Sequence, residues 1–288
     1  MRLTLPRWGY LAIVGSLVVA VLGRVGMQRI ARPKPWFTYS MSPLSRASYQ
    51  ALAARPGWAE SSLRMTDGVS LAGLVSLPAQ AGAPWVIFFP GNDSTQLARG
   101  QRLLEQIRAD NPWGLAVYAS RGYDASGGTP SAAAFESDAI SVFEAVVREQ
   151  RVDPSQVHLV AFSLGGYGAA RAASHSAKAG KKPGSLSLLA SVARIAMVHK
   201  NLLASFTIGD VYDLLPSLPE VPAPVLVVQG SADEAFGDVR QAKLLVEGLG
   251  DRARYLELPG VGHNALLESE PAIAAVRAGI ESASKIAR

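Results

Sequence analysis

Three residues stand out for the chemistry they could do together: Ser163, Asp233 and His263. A serine hydroxyl is a weak nucleophile near neutral pH and needs a base to take its proton. That base needs an acceptor to hold its tautomer and steady the charge it acquires. Ser163 lies in the stretch His158-Leu159-Val160-Ala161-Phe162-Ser163-Leu164-Gly165-Gly166, where an apolar run short enough for one buried strand meets a serine and small residues follow at once. This is the pattern of a nucleophile elbow. Its strand-to-helix turn is so tight that the positions two before and two after the serine must be small, here Ala161 and Gly165. Asp233 follows the run Val225 to Gln229 within Gly230-Ser231-Ala232-Asp233, and His263 follows the run Tyr255 to Leu258 within Pro259-Gly260-Val261-Gly262-His263. The chemistry implied is acyl transfer through a covalent acyl-enzyme. It also requires donors for the oxyanion: the backbone N–H of Leu164, directly after the serine, and a second from the loop after Trp85 to Phe89, where Asn92 or Asp93 sits.

Each residue also has an ordinary reading: a plain strand-to-helix turn for Ser163, a local backbone acceptor for Asp233, a solvated loop side chain for His263. The three readings weaken together, because three residue types follow three strands in one workable order. The other histidines fit less well. His158 begins the elbow strand at its far end, His175 lies well into the following helix, and His199 falls in an irregular stretch. Glu234 is a fallback acid beside Asp233, with Asp210 and Asp213 weaker ones. A carboxylate of Asp93 aimed at the oxyanion would repel it, but turned onto its own helix as an N-cap it would not.

The elements that must position these residues follow from hydrophobic patterning. Leu63 to Thr66 and Ser70 to Leu77 read as strands joined at Asp67-Gly68. Strands are expected at Trp85 to Phe89, Leu115 to Ala119, the elbow strand, Ser185 to Leu189, Pro224 to Gln229 and Tyr255 to Leu258. Helical patterns intervene, one with apolar positions Leu97, Leu103, Leu104 and Ile107 and another with Phe135, Val142, Phe143, Val146 and Val147. Alternation of this kind implies an α/β domain with a mostly parallel sheet covered on both faces, whose carboxyl edge would carry Ser163, Asp233 and His263. The alternation breaks at about 192–222, as expected of a short cap.

Composition bounds the alternatives. With 288 residues, 49% of them hydrophobic, the chain can bury a full core as one domain. No cysteine and only 4 histidines argue against disulfides, thiolate sites and multi-histidine centres, so neither a metal nor another cofactor is expected. The net charge of +5 is uneven: no acidic residue precedes Glu60, while eight basic residues do, leaving about −3 on the remainder. Nucleic acid is therefore not an expected partner. The basic residues flank an uncharged apolar run, Trp8 to Gly23, where anionic lipid headgroups are a sufficient explanation. We read residues 1–31 as a signal-anchor or cleaved signal segment, 32–58 as a linker, and 59–288 as the domain. The run's length lies between a signal peptide and a span, with the anchor favoured. An extracytoplasmic domain is expected, with a cytoplasmic face or secretion after cleavage as alternatives.

From about Leu63 onward the chain resembles the α/β-hydrolase family, and within it the single-span serine hydrolases of the Bem46-like and abhydrolase-domain-13-like group. The resemblance is carried by Phe89-Pro90-Gly91-Asn92; by Arg121-Gly122-Tyr123 with Ser126, Gly128 and Pro130; by Ala161-Phe162-Ser163-Leu164-Gly165-Gly166; by Gly230-Ser231-Ala232-Asp233; and by Gly262-His263-Asn264. Three positions depart from the pattern: Pro90 in place of a histidine, Asp124 in place of a glycine, and Ala161 in place of the first elbow glycine. The function expected is a membrane-tethered serine hydrolase of carboxylic esters or thioesters, with small-molecule or lipid-like substrates. A serine peptidase of similar fold and a non-catalytic binding or scaffold domain are the alternatives.

Overall fold

Eight strands form one sheet: Ala59–Arg64 (β1), Ser70–Ser76 (β2), Trp85–Phe89 (β3), Gly114–Tyr118 (β4), Val157–Phe162 (β5), Ser185–Leu189 (β6), Val225–Gly230 (β7) and Ala253–Leu258 (β8), in the order β1-β2-β4-β3-β5-β6-β7-β8. These come from a computed structural model, which describes residues 39–195, 212–222, 224–235 and 239–286. β2 pairs antiparallel with β1 on one side and β4 on the other, and every pairing from β4 to β8 is parallel. Successive strand residues point to opposite faces, yet every residue of β3 to β7 is buried. Both faces of the central sheet are therefore covered, as the predominantly apolar runs require. Gln96–Arg108 (after the helix Arg46–Ala53, here α1, this is α2) packs against the C-terminal helix Glu270–Ile286. Ala132–Gln150 (α3) packs against Gly165–Lys178 (α4). Arg240–Leu249 (α5) lies against β7, and the C-terminal helix is α6.

The hairpin differs in detail from the expected turn. Only Gly68, at φ 85°, takes a left-handed conformation, while Met65 and Val69 are bonded to each other and Gly68 N–H returns to Met65 O at 2.9 Å. The connection is thus a three-residue loop with glycine at its left-handed position rather than a two-residue turn centred on Asp67-Gly68. β1 also starts at Ala59, four residues earlier than the hydrophobic pattern suggests, because its exposed polar residues pair along the sheet edge.

The expected linker is a further difference. Residues from Tyr39 onward belong to the same compact unit as the sheet. Helix α1 is capped by Ser45, whose side chain accepts from Ser48 N–H. Buried Tyr49 donates to the carbonyls of Ser61 and Gly73, and Trp58 is buried with its indole N–H on Glu105. Polar loop composition concealed these two aromatic anchors, and only residues 32–38 of the expected linker lie outside the description. The apolar run Trp8 to Gly23 also lies outside the described residues, among which no helix is long and apolar enough to cross a membrane. Of the expected cap, residues 196–211 lie outside as well. Its two ends are held side by side by an antiparallel bridge between Arg194 and Asp213, and a 3-10 turn, Leu215–Glu220, leads back to the sheet.

Candidate active site

β5 ends at Phe162 and α4 begins at Gly165, so Ser163 must reverse the chain in two residues. It does so with φ 52°, a left-handed backbone for a residue with a Cβ. Such strain persists only where the surroundings enforce it. Here Ser163 N–H is held by Leu189 O of β6 at 2.9 Å, and Gly166 N–H returns to Ser163 O at 3.1 Å. The small residues are needed for contact reasons. A Cβ at Gly165 would collide with the carbonyl oxygens of Phe89 and Pro90, and one at Gly166 with Ser191. Ala161, fully buried and paired with Phe89 across β5 and β3, shows that alanine fits where the resemblance has glycine. Pro90 contributes its carbonyl to the same tight crossing.

Asp233 follows β7 and His263 follows β8. The structure brings the two together: His263 Nδ1 lies 2.7 Å from Asp233 Oδ2, and the Asp233 side chain is 1% exposed. Two further donors fix the carboxylate, Gln229 Nε2 on Oδ2 at 2.9 Å and Ala235 N–H on Oδ1 at 3.0 Å. The two loops cross closely at Gly230, where any Cβ would strike Val261 O. The imidazole rests against the ring of Phe162, centroids 4.7 Å apart, so the histidine sits over the residue that immediately precedes Ser163. With Nδ1 directed at Asp233, Nε2 is the ring nitrogen on the side away from that carboxylate.

The loop after β3 passes next to the elbow. A Cβ on Gly91 would come within 2.8 Å of Ser163 Cβ and 2.9 Å of Phe162 O, so the backbone of Gly91, directly before Asn92, runs past the serine at contact distance. Asn92 turns its side chain away into the protein, where Oδ1 accepts from Ser40 N–H and from Tyr123 OH, each at 2.6 Å. Asp93 also turns away: Oδ1 accepts from Thr95 N–H at 2.9 Å and Oδ2 pairs with Arg99 at 2.7 Å. Neither Asp93 nor Ser94 is the N-cap. Helix α2 starts after Thr95, and its first turn is capped from another loop by Asp124, whose Oδ2 accepts from Leu97 N–H at 2.7 Å. The Leu164 N–H stands at the opening of α4, where amides have no carbonyl one turn back and the helix dipole favours negative charge.

Several residues here escape sequence reasoning. Gln229 is a polar residue closing an apolar strand, which is a legible anomaly, but nothing in the chain indicates that it serves Asp233. Gln96, Ser40 and the capping role of Asp124 have no local signature, since each depends on a loop remote in sequence. Asp124 takes φ 48°, which accounts for a glycine at this position in the resembling family, and burial pushes its carboxyl up to about 6. The rejected histidine His158 is buried in the core, between Ser185 Oγ on Nδ1 and Ser284 Oγ on Nε2, each at 2.9 Å. His175 lies within α4 and His199 outside the described residues. Asp213 pairs with Arg194 at the base of the cap, and Asp210 lies outside the description.

No protein-family model matches the chain. Two Mycobacterium tuberculosis proteins, MT2364 and Rv2307c, both called uncharacterized, are each 28% identical over 282 residues, covering 95% of this chain and 93% of theirs. Among solved structures, an alpha-beta hydrolase from Vibrio vulnificus superposes with a TM-score of 0.67 at 20% identity, covering 83% of this chain and 87% of its own. The Pyrococcus furiosus esterase Pf2001 gives 0.64 at 14% identity over 85% and 99%. A membrane phospholipase A, described as a bacterial virulence factor, gives 0.63 at 15% identity over 95% and 99%. The protein has the α/β-hydrolase fold, and its structural neighbours include esterases and a phospholipase.

Proposed function

We infer that this protein is a serine hydrolase that cleaves carboxylic esters or thioesters through an acyl-enzyme, with Ser163 as nucleophile, His263 as base and then acid, and Asp233 as the residue that orients His263. The observation that carries this reading is the 2.7 Å contact between His263 Nδ1 and Asp233 Oδ2 with the imidazole packed at a tilt against Phe162, one residue from a serine held at φ 52°. In acylation, Ser163 Oγ bonds to the carbonyl carbon while its proton passes to His263 Nε2 and the carbonyl π pair moves onto oxygen. Collapse of that oxyanion expels the alkoxide or thiolate, which leaves with the proton from Nε2. Water then repeats the sequence and frees the acid. Backbone N–H groups of Leu164 and Asn92 are the oxyanion donors in this reading, favoured by the helix N-terminus on one side and the close passage of Gly91 on the other.

Ester and phospholipid chemistry among the structural neighbours supports a small-molecule or lipid-like ester as substrate. Within the fold, the resemblance to single-span Bem46-like and abhydrolase-domain-13-like hydrolases supports attachment to the membrane through the apolar run Trp8 to Gly23. The test is labelling of the full chain with a fluorescent organophosphonate, compared with Ser163→Ala and His263→Ala. Labelling of the wild type and its loss in both variants is expected. Undiminished labelling of Ser163→Ala overturns the assignment, and a folded but unreactive wild type supports a binding or scaffold domain instead.

A further inference from the structure

The segment Gly91 to Leu97, which carries the Asn92 amide and opens α2, is tied at three successive points to one loop, that following β4. Gln96 is completely buried and bridges the two: its Nε2 donates to Gly91 O at 2.7 Å and its Oε1 accepts from Ser120 N–H at 2.7 Å. Tyr123, also completely buried, donates its hydroxyl to Asn92 Oδ1 at 2.6 Å. Burial pushes the Tyr123 phenol upward, so it remains a donor throughout the physiological range. Asp124 accepts from Leu97 N–H. The loop has a rigid base of its own. Gly122 N–H bonds to Gly127 O and Gly127 N–H to Ser70 O, each at 3.0 Å, while Ser126 Oγ donates to Ala119 O. Arg121 Nε bonds both oxygens of Asp138, at 2.9 and 3.0 Å, and the guanidinium also pairs with Asp67. The incoming chain adds to the same structure, with Ser40 N–H on Asn92 Oδ1 and Leu44 N–H on Asp124 O.

We propose that Ser120 to Asp124 form the clamp that positions the oxyanion segment, with Tyr123 and Asp124 as positioning residues for the Asn92 amide. This rests on the hydrolase reading above. A backbone donor cannot be tuned by its own side chain, so its aim depends on what holds the peptide plane. Displacing that amide by a fraction of an ångström costs more of its hydrogen bond to an oxyanion than of its weaker bond to a ground-state carbonyl. Loss of the clamp therefore lowers turnover while substrate affinity changes little.

The experiment uses the full chain with p-nitrophenyl butyrate as substrate and phenylboronic acid as a probe of the tetrahedral, negatively charged state. Tyr123→Phe removes one oxygen and is expected to lower kcat about ten-fold with KM within about two-fold, and to weaken boronate inhibition in proportion. Asp124→Ala should do likewise, and Asp124→Asn, which keeps an acceptor for Leu97 N–H, should recover most of that loss. If Tyr123→Phe fails to fold, the Asp124 pair decides. Unchanged kcat in Tyr123→Phe, a loss confined to KM, or no recovery from alanine to asparagine overturns the clamp. A wild type that neither turns over ester nor labels at Ser163 overturns the hydrolase reading and the clamp with it. An active wild type indifferent to these substitutions overturns the clamp alone.

Discussion

Asp124 joins a left-handed backbone, φ 48°, to a carboxylate buried against the first turn of α2. Burial is the main reason its carboxyl rises to about 6; the Leu97 N–H works against the rise, and the nearby charge of Asp93, itself paired with Arg99, adds to it. A carboxyl raised in the folded state binds its proton more tightly there than in the unfolded chain. Ionised Asp124 therefore detracts from stability above pH 6, and the deficit fades as pH falls through 6 toward the ordinary value of about 3.9. Asparagine tolerates the left-handed conformation and keeps the acceptor without the charge. Asp124→Asn is thus expected to melt a few degrees higher than wild type at pH 7–8, with the gap closing toward pH 4. A pH-independent gap in a melting series would show that charge burial is not its cause. The same residue marks the limit of what the sequence discloses of the site. Ser163, Asp233 and His263 are legible because each follows a strand and the three chemistries need one another. Gln96, Tyr123 and Gln229 are not, because their value comes from partners 24, 31 and 4 residues away that only the folded chain supplies.

The strands were legible for a plain physical reason: β3 and β6 occupy the runs Trp85–Phe89 and Ser185–Leu189 because a strand buried on both faces is made mostly of apolar residues, with only small or hydrogen-bonded polar ones among them. Where one face is open, as in β1, the pattern thins and the boundary shifts. Polar residues inside buried strands are then informative, and His158 in β5 is the clearest. Ser284 donates its hydroxyl to Ile280 O at 2.7 Å, so the 2.9 Å contact with His158 Nε2 needs the histidine to donate there. Neutral His158 then accepts from Ser185 on Nδ1. The neutral residue thus joins β5 to β6 and to α6, and burial, which disfavours the charged form, lowers its pKa to about 4. The unfolded chain, with an ordinary histidine near 6.5, takes up a proton first as pH falls. This site therefore stabilises fully above about pH 6.5 and loses that contribution as pH drops toward 4, by on the order of 3 kcal/mol. Asp124 acts in the opposite sense over much of the same range, so the wild-type curve shows only their difference. His158→Leu should flatten the acid limb by that amount in urea melts between pH 7 and 4. It should also cost about 1–3 kcal/mol at pH 7 from the hydroxyl of Ser185 left without its partner. An unchanged acid slope would remove His158 from the account.

At the scale of the whole molecule the charge is divided: eight basic and no acidic residues before Glu60, against an excess of about three negative charges in the rest. Two different forces could hold such a chain to a membrane. Electrostatic attraction of the basic residues to anionic headgroups is screened over about 10 Å at 0.1 M salt and vanishes in strong salt, whereas an inserted apolar segment is indifferent to salt. The run Trp8 to Gly23 carries no charge, and the basic positions lie to either side of it, so in the proposed tether burial of the run in hydrocarbon is expected to be the larger contribution, with the flanking charges adding to it. The compact unit beginning at Tyr39 has its own caps, core and candidate site, so the proposed attachment and the proposed hydrolysis are expected to be separable. Full-length protein is expected to stay in the membrane fraction through washes in 1 M salt (about 3 Å screening) and in alkaline carbonate. Chain lacking residues 1–38 should appear in the supernatant and still label at Ser163. Release of the full chain by salt alone would make the attachment peripheral and electrostatic. Loss of labelling on truncation would mean that the first 38 residues serve the site as well as the membrane.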